Sequence, residues 1–396
     1  MKYSRRLEGV DYSATIDISD RVKRMKAAGR DVISMAAARP DFDAPAAVRR
    51  ATSEAVLGGA YSGYSESRGL LELREAVSEH LYRWSGVEYD PESEVLITVG
   101  QREGLSLALG ALVDPGDPVL VPDPGWLTYR STVALAGGRP VSFGFCAEDD
   151  YRPRVGDLRR GIEGGARVAI INTPANPTGT VFSRSELESI RDLTEQCGAT
   201  VITDEIYAPF TYDGHRHISP AAIEGMRDRT LVTGAVSKAW AMTGWRVGFA
   251  AGPSGLIDRM LMIHQHLVSC ACTFAQKGAV VALREEHDTL SSMARSYLAR
   301  RDILAEGMAS LRGIEFNVPR GACFFFPAFP GIGMTGRELA TRFLEDGDLA
   351  LTPGEAFGPG GANRLRISFA STPEEMLPEV LRRMGAVLEG IRDGRD

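Results

Sequence analysis

At 396 residues, with 44% hydrophobic and 24% charged side chains, the chain has an ordinary globular composition and more length than one core fills, which predicts a large domain beside a smaller one. A formal charge of -7 gives no electrostatic footprint for nucleic acid or an anionic membrane, and no apolar run is long enough to span a bilayer. The start, Met-Lys-Tyr-Ser-Arg-Arg, lacks the apolar stretch of a signal peptide, so a cytoplasmic location is expected. Five cysteines, odd in number and without a CxxC pair, argue against both a disulfide framework and a zinc site.

In chain order, a helix is expected at 18–28 and a short strand at 32–35; these first 45 residues are too few to fold alone and are assigned to the small domain. From 92 to 252, short apolar strands at 95–99, 119–121, 168–172, 200–203, 231–236 and 247–251 alternate with amphipathic segments. That alternation predicts an α/β fold with a mostly parallel sheet covered on both faces. Beyond 257 the pattern is helical to about 311, with His264 and His266 expected at the surface or an interface. Strand-rich stretches at 323–328 and 365–370 then precede a closing helix from 373 to about 391. No internal repeat or low-complexity tract interrupts this order.

In sheets of this type ligands gather where strands end, and the chemically suggestive residues fall there. Lys238 follows the strand 231–236, where partial burial and the cation Arg246, eight residues on, both favour a neutral amine able to form a Schiff base with an aldehyde. Taken alone it would read as a surface lysine. Asp204 ends the strand 200–203, and a carboxylate fixed there can keep a pyridine nitrogen protonated; a helix cap or salt bridge is the plainer alternative. Tyr207, three residues on, offers a phenol to a ring oxygen. Asn176 projects from a turn that two X-Pro steps and a glycine force to be irregular. Gly100, Gln101 and Arg102 join a strand to a helix, where the N-terminal N–H groups and the dipole favour phosphate. Trp126 can stack on a flat ring or pack in the core.

An aldehyde, a pyridine nitrogen, a phosphate and a ring face together describe pyridoxal 5'-phosphate. The chain resembles the fold-type I pyridoxal-phosphate enzymes of the class I/II aminotransferase family, in the branch of the bacterial aspartate aminotransferases. The resemblance spans nearly all of it and rests on Asn-Pro-Thr-Gly (176–179), Asp-Glu-Ile-Tyr (204–207), Ser-Lys-Ala-Trp-Ala-Met-Thr-Gly-Trp-Arg (237–246), Pro-Gly-Glu-Ala-Phe-Gly (353–358) and Arg-Ile-Ser-Phe-Ala (366–370), in family order. It implies a seven-stranded sheet in a large cofactor-binding domain, 46–285, and a small α+β domain from 1–45 and 286–396. It also implies that Lys238 is the Schiff-base lysine and proton shuttle, Asp204 the partner of the pyridine nitrogen, and Tyr207 and Asn176 partners of the ring hydroxyl oxygen. Trp126 would stack on the ring; Ser237, Arg246 and the 100–102 turn would hold the phosphate. Arg366 would take the substrate's α-carboxylate. Tyr64 matches a tyrosine that reaches across a dimer interface to the neighbouring phosphate, implying a homodimer with shared active sites.

The chain departs from the family at Ala38-Arg39, where Gly-Glu is usual, at Arg320, where an acid is usual, and at Ala235, which lacks a hydroxyl that some relatives use on the phosphate. With Arg102, the arginines suggest an anionic ligand besides the cofactor, a dicarboxylate or a second substrate bearing phosphate. The alternative is that they are solvated or paired with Glu103, Glu205 and Glu355. Ala38 and Arg39 are accordingly expected to contact substrate. Transamination between an L-amino acid and a 2-oxo acid is the leading reading. Elimination or replacement on a sulfonium amino acid such as S-adenosylmethionine, in specialised metabolism, uses the same cofactor residues and stays open. A silent regulator on the same fold is disfavoured by the presence of Lys238, Asp204 and Arg246.

Overall fold

The computed structural model describes residues 1, 3–8, 10–285 and 287–394. Its strands are β1 (Ile33–Ser34), β2 (Val95–Thr98), β3 (Pro118–Asp123), β4 (Arg139–Gly144), β5 (Val168–Asn172), β6 (Thr200–Asp204), β7 (Thr230–Ala235), β8 (Gly248–Ala251), β9 (Phe324–Phe325), β10 (Leu349–Ala350), β11 (Thr352–Pro353) and β12 (Leu365–Ser368). The helices are α1 (Ala14–Ala27), α2 (Ala46–Leu57), α3 (Leu71–Ser85), α4 (Gln101–Leu112), α5 (Thr128–Leu135), α6 (Val155–Glu163), α7 (Arg184–Cys197), α8 (Val236–Ala239), α9 (Ser254–Leu267), α10 (Thr273–Glu285), α11 (His287–Ser310), α12 (Gly336–Gly347) and α13 (Leu377–Arg392).

Seven strands form one sheet in the order β2-β8-β7-β6-β5-β3-β4, in which β8 alone runs against its neighbours. Strands β2, β5, β7 and β8 are buried at every residue, as continuous apolar runs covered on both faces must be. Helices α3 and α10 pack over one face, and α4, α5 and α9 over the other. The remaining strands make two small sheets, parallel β1-β10 and antiparallel β11-β12-β9. Through β1 the start of the chain joins a core built mainly from residues after 290.

Two expectations need correcting. The sheet has an edge strand, β4, which the apolar pattern does not reveal: as an edge its residues are exposed or half-buried, with only Phe143 fully inside. His264 is not at the surface. It is fully buried where α9 packs on α4, and its Nδ1 lies 3.1 Å from Glu103 Oε1. Among the described residues no helix is long and apolar enough to cross a membrane.

Candidate active site

Parallel strands β3, β5, β6 and β7 end at one edge of the sheet, where the last residues of β5 and β6 border a cavity of about 240 Å³. Asp204 is the last residue of β6 and Asn172 the last of β5. Asn172 ties this floor together: its amide donates to the Asp204 carbonyl at 3.0 Å, and its Oδ1 accepts the Asn176 N–H at 2.7 Å. The turn at 173–177 contains cis peptides before Pro174 and Pro177, and it presents Asn176 to the cavity.

Lys238 lies on the one-turn helix α8, just after β7, and lines the cavity. Burial, reinforced by the guanidiniums of Arg366, Arg246 and Arg102 and opposed by the Cys323 thiol, pulls its ammonium down to about 8. The neutral amine is therefore far more populated near physiological pH than on an exposed lysine, and the group donates a hydrogen bond to the Ala38 carbonyl. Across the cavity, burial pushes the Asp204 carboxyl up to about 6, although the Tyr129 hydroxyl donates to Oδ2 at 2.7 Å and the Ile206 N–H to Oδ1 at 3.2 Å. A carboxylate so desolvated gains most from a cationic partner, as a protonated pyridine would be.

The anion cradle lies at the start of α4. Gly100 has a φ of +73°, and a Cβ there would lie 2.2 Å from Arg246 Nη2, so only glycine lets the turn and the guanidinium meet. Arg246 Nη1 is held by the Thr243 carbonyl at 3.0 Å, and Glu103 accepts from the Val99 N–H, bracing the turn below. First-turn N–H groups of a twelve-residue helix beside a guanidinium fit a phosphate. The carboxylate subsite is Arg366, on β12 and 2% exposed. It lies between the faces of Phe324 and Phe357, 4.7 and 4.8 Å from their centroids, and donates to Asn176 Oδ1 at 3.1 Å and to the Ala36 carbonyl. Its Nε has no partner although buried, and among the described residues no carboxylate pairs with it. Pyridoxal phosphate fits this set: an amine, a desolvated acid, an anion cradle, and Trp126 at the cavity wall.

Of the residues expected from the sequence, Lys238, Asp204, Tyr207, Asn176, Gln101, Arg102, Trp126, Arg366 and Ala38 line the cavity, with Gly100 and Arg246 behind it. Ser237 is buried next to the lysine without lining the space. Tyr64 is 88% exposed and away from this chain's cavity. The arginine pattern differs from expectation. Arg39 is exposed and does not line the cavity, although Ala37 and Ala38 just before it do. Arg320 pairs with Asp150 and lies outside the cavity. Arg102 remains at its mouth, 5.2 Å over the Trp126 ring. None of the three meets Glu103, Glu205 or Glu355, which instead hold His264, His217 with Ser219, and the Gly336 N–H. Nothing in the sequence marks Tyr129, which reads as a core tyrosine, or the α1 residues Thr15, Ile16 and Ser19, which wall the cavity.

Comparison with known proteins agrees with this geometry. Residues 30–384 match the family model "Aminotransferase class I and II". An aspartate aminotransferase of Pyrococcus abyssi is 36% identical over 390 residues, 98% of each chain. An aromatic-amino-acid aminotransferase of Thermococcus litoralis is 34% identical, covering 98% of this chain and 99% of its own. A solved aspartate aminotransferase from Thermus thermophilus with maleate superposes with a TM-score of 0.92 at 32% identity, over 98% of this chain and 100% of that one. Of the two chemistries the sequence leaves open, these relatives carry amino transfer.

Proposed function

The chain belongs to the class I and II aminotransferase family, pyridoxal-phosphate-dependent enzymes that move an amino group from an amino acid to a 2-oxo acid, and we propose that Lys238, Asp204 and Arg366 divide the work of that reaction within it. The cofactor supplies an electron sink for the carbanion left when the substrate's α-proton departs. Lys238 would hold it through its amine and, once displaced, serve as the base that carries the α-proton, a role suited to a group at about 8. Asp204, steered by Tyr129, would keep the pyridine nitrogen protonated, while Tyr207 and Asn176 would serve the ring oxygen and Trp126 would stack on the ring. Ser237, Arg246 and the Gly100-Gln101-Arg102 turn would take the phosphate.

The observation that carries this reading is Arg366. A guanidinium 2% exposed, without a carboxylate and with an orphaned Nε, is an anion receptor set within the same cavity as Lys238. Arg102, which has no acid partner among the described residues and lies at the cavity mouth, favours a substrate with a second carboxylate at its far end. Relatives named for aspartate, one solved with maleate, support that choice. Tyr64, an aromatic ring left in solvent, is read as serving the phosphate of a second copy, which makes the working form a homodimer. We keep the domain division at 46–285 against 1–45 with 286–396, supported by β1 pairing with β10, and a cytoplasmic location, supported by composition and charge. The test supplies a nitrogen-15-labelled amino acid with an unlabelled 2-oxo acid and follows the label by mass spectrometry. Label in the newly formed amino acid, with dicarboxylic partners preferred, is the expected result. Release of ammonia or of a sulfur leaving group without label transfer overturns it.

A further inference from the structure

The exposed loop that carries Tyr64 is held from below by the first turn of α10. Its approach, Gly58-Gly59-Ala60-Tyr61-Ser62-Gly63, is glycine-rich and would by composition leave the tyrosine loosely placed. Both neighbours of Tyr64 are nevertheless tied. The Thr273 hydroxyl donates to the Gly63 carbonyl at 3.0 Å, and Gln276 Nε2 donates to Ser65 Oγ at 3.2 Å. Gln276 is fully buried and its other polar contacts extend the clamp: Oε1 accepts the Leu70 N–H at 2.8 Å, and Nε2 also donates to the Ala271 carbonyl at 2.9 Å. Gly69, at φ +98°, lets the loop pass so close that a Cβ there would lie 2.3 Å from Ile97 and 3.2 Å from Gln276 Oε1. A buried amide thus commits polar atoms to a loop whose tip is 88% exposed.

We propose that Thr273 and Gln276 are positioning residues that hold Tyr64 ready for the cofactor phosphate of a second copy of the chain. This rests on the reading of Tyr64 given above. Fixing the loop in advance spares the ordering loss that a free tyrosine would incur on contact, so the clamp acts on cofactor affinity across the interface and not within its own subunit.

The experiment measures cofactor dissociation by spectral titration for Gln276→Leu, Thr273→Val and Tyr64→Phe, each as a homodimer and in mixed dimers with Lys238→Ala subunits. In a mixed dimer the intact Lys238 belongs to the Gln276→Leu subunit, and its Tyr64 comes from the Lys238→Ala subunit, whose clamp is whole. Borohydride trapping marks that site, because the Lys238→Ala site cannot form the covalent bond. Homodimers of Gln276→Leu and Tyr64→Phe should each bind cofactor about tenfold more weakly, and both should recover wild-type affinity in the mixed dimer. Recovery by Tyr64→Phe without recovery by Gln276→Leu overturns the clamp and leaves the role of Tyr64 standing. Failure of Tyr64→Phe to recover overturns the reading of Tyr64, and the clamp with it. Thr273→Val, which removes a single hydrogen bond, decides in the same way if Gln276→Leu does not fold.

Discussion

Helix α11 and the floor of the cavity both bury arginines, and they treat them in opposite ways. Arg300 and Arg301 are each 4% exposed on α11. Arg300 meets both oxygens of Asp41 at 3.0 and 2.9 Å; Arg301 forks onto Asp213 and also reaches Asp302. Arg366, as deeply buried, has only carbonyl, amide and hydroxyl dipoles and two aromatic faces, and burial draws its pKa down to about 10. Removing a partner from a closed pair leaves a buried charge alone, whereas Arg366 already stands alone. The fold tolerates that expense in one place, beside a lysine it has also stripped of water. Burial by itself therefore does not distinguish structural from functional charge; the absence of an opposite charge does.

The largest effect should come from Lys238→Ala. Loss of both the attachment point and the base is expected to lower turnover by at least ~10⁴-fold and to abolish borohydride trapping of the cofactor, with the thermal transition unshifted or raised. The sharper test sets Arg366→Met against Arg300→Met. The first should raise KM for carboxylate substrates by about a hundredfold, as loss of a buried charge partner does, while the chain stays as stable as before or becomes more so. The second should lose roughly 1–3 kcal/mol on unfolding by denaturant, because the fork onto Asp41 and the bonds to the Phe369 and Ala370 carbonyls are lost while the Asp41 carboxylate still reaches water. If Arg366→Met unfolds as readily as Arg300→Met, the distinction between the two regions collapses.

Much of this was legible from the chain alone, for physical reasons. The strands β2, β5, β6, β7 and β8 stand within a residue or two of where their apolar runs place them, since a strand buried on both faces has nothing else to be made of. That Lys238, Asp204, Asn176 and Gln101 would gather at one cavity was legible because turn chemistry and side-chain type coincide at strand ends. What stayed hidden depends on contacts between distant segments. Tyr129 looks like any helix-core tyrosine until β6 brings Asp204 beneath its hydroxyl. His264 looks polar and external until α9 meets Glu103 on α4. The arginines were the least readable, since sequence counts charges but does not pair them: Arg320 finds Asp150, Arg39 faces solvent, and Arg102 alone of the three stays at the cavity.

Tyr129→Phe probes the acid side of the cavity with a smaller effect. The tyrosine's hydrogen bond opposes the rise that burial imposes on Asp204, so removing it moves that carboxyl further above about 6. A folded-state value above the ordinary carboxylate range means that the ionised form is disfavoured in the fold. Stability from this group is full at low pH and is lost as pH rises through the folded value. Cofactor binding needs the ionised form, so affinity should fall as pH drops through the Asp204 value, and in Tyr129→Phe that fall should begin at higher pH. Loss of the hydrogen bond, about 1.4 kcal/mol or roughly one pKa unit, should weaken binding about twofold at neutrality and close to tenfold by about pH 5, as read from titrations across pH 5–8. A midpoint displaced to lower pH would refute the role given to the tyrosine.

Arg102→Gln is the mildest change and the one that bears on substrate choice. Unlike Arg366, this guanidinium is exposed at the cavity mouth, stacked on Trp126, so water screens whatever it binds. Its contribution to a distal carboxylate should therefore be about 1 kcal/mol, a five- to tenfold drop in kcat/KM for dicarboxylic substrates, and should shrink further with added salt. Neutral and aromatic amino acids make no use of that charge and should lose little. Steady-state kinetics with both classes at low and high ionic strength separates the outcomes. A uniform loss would move Arg102 to the cofactor's phosphate, where the turn it shares with Gly100 already stands, and would leave Arg366 as the cavity's one cation reserved for substrate.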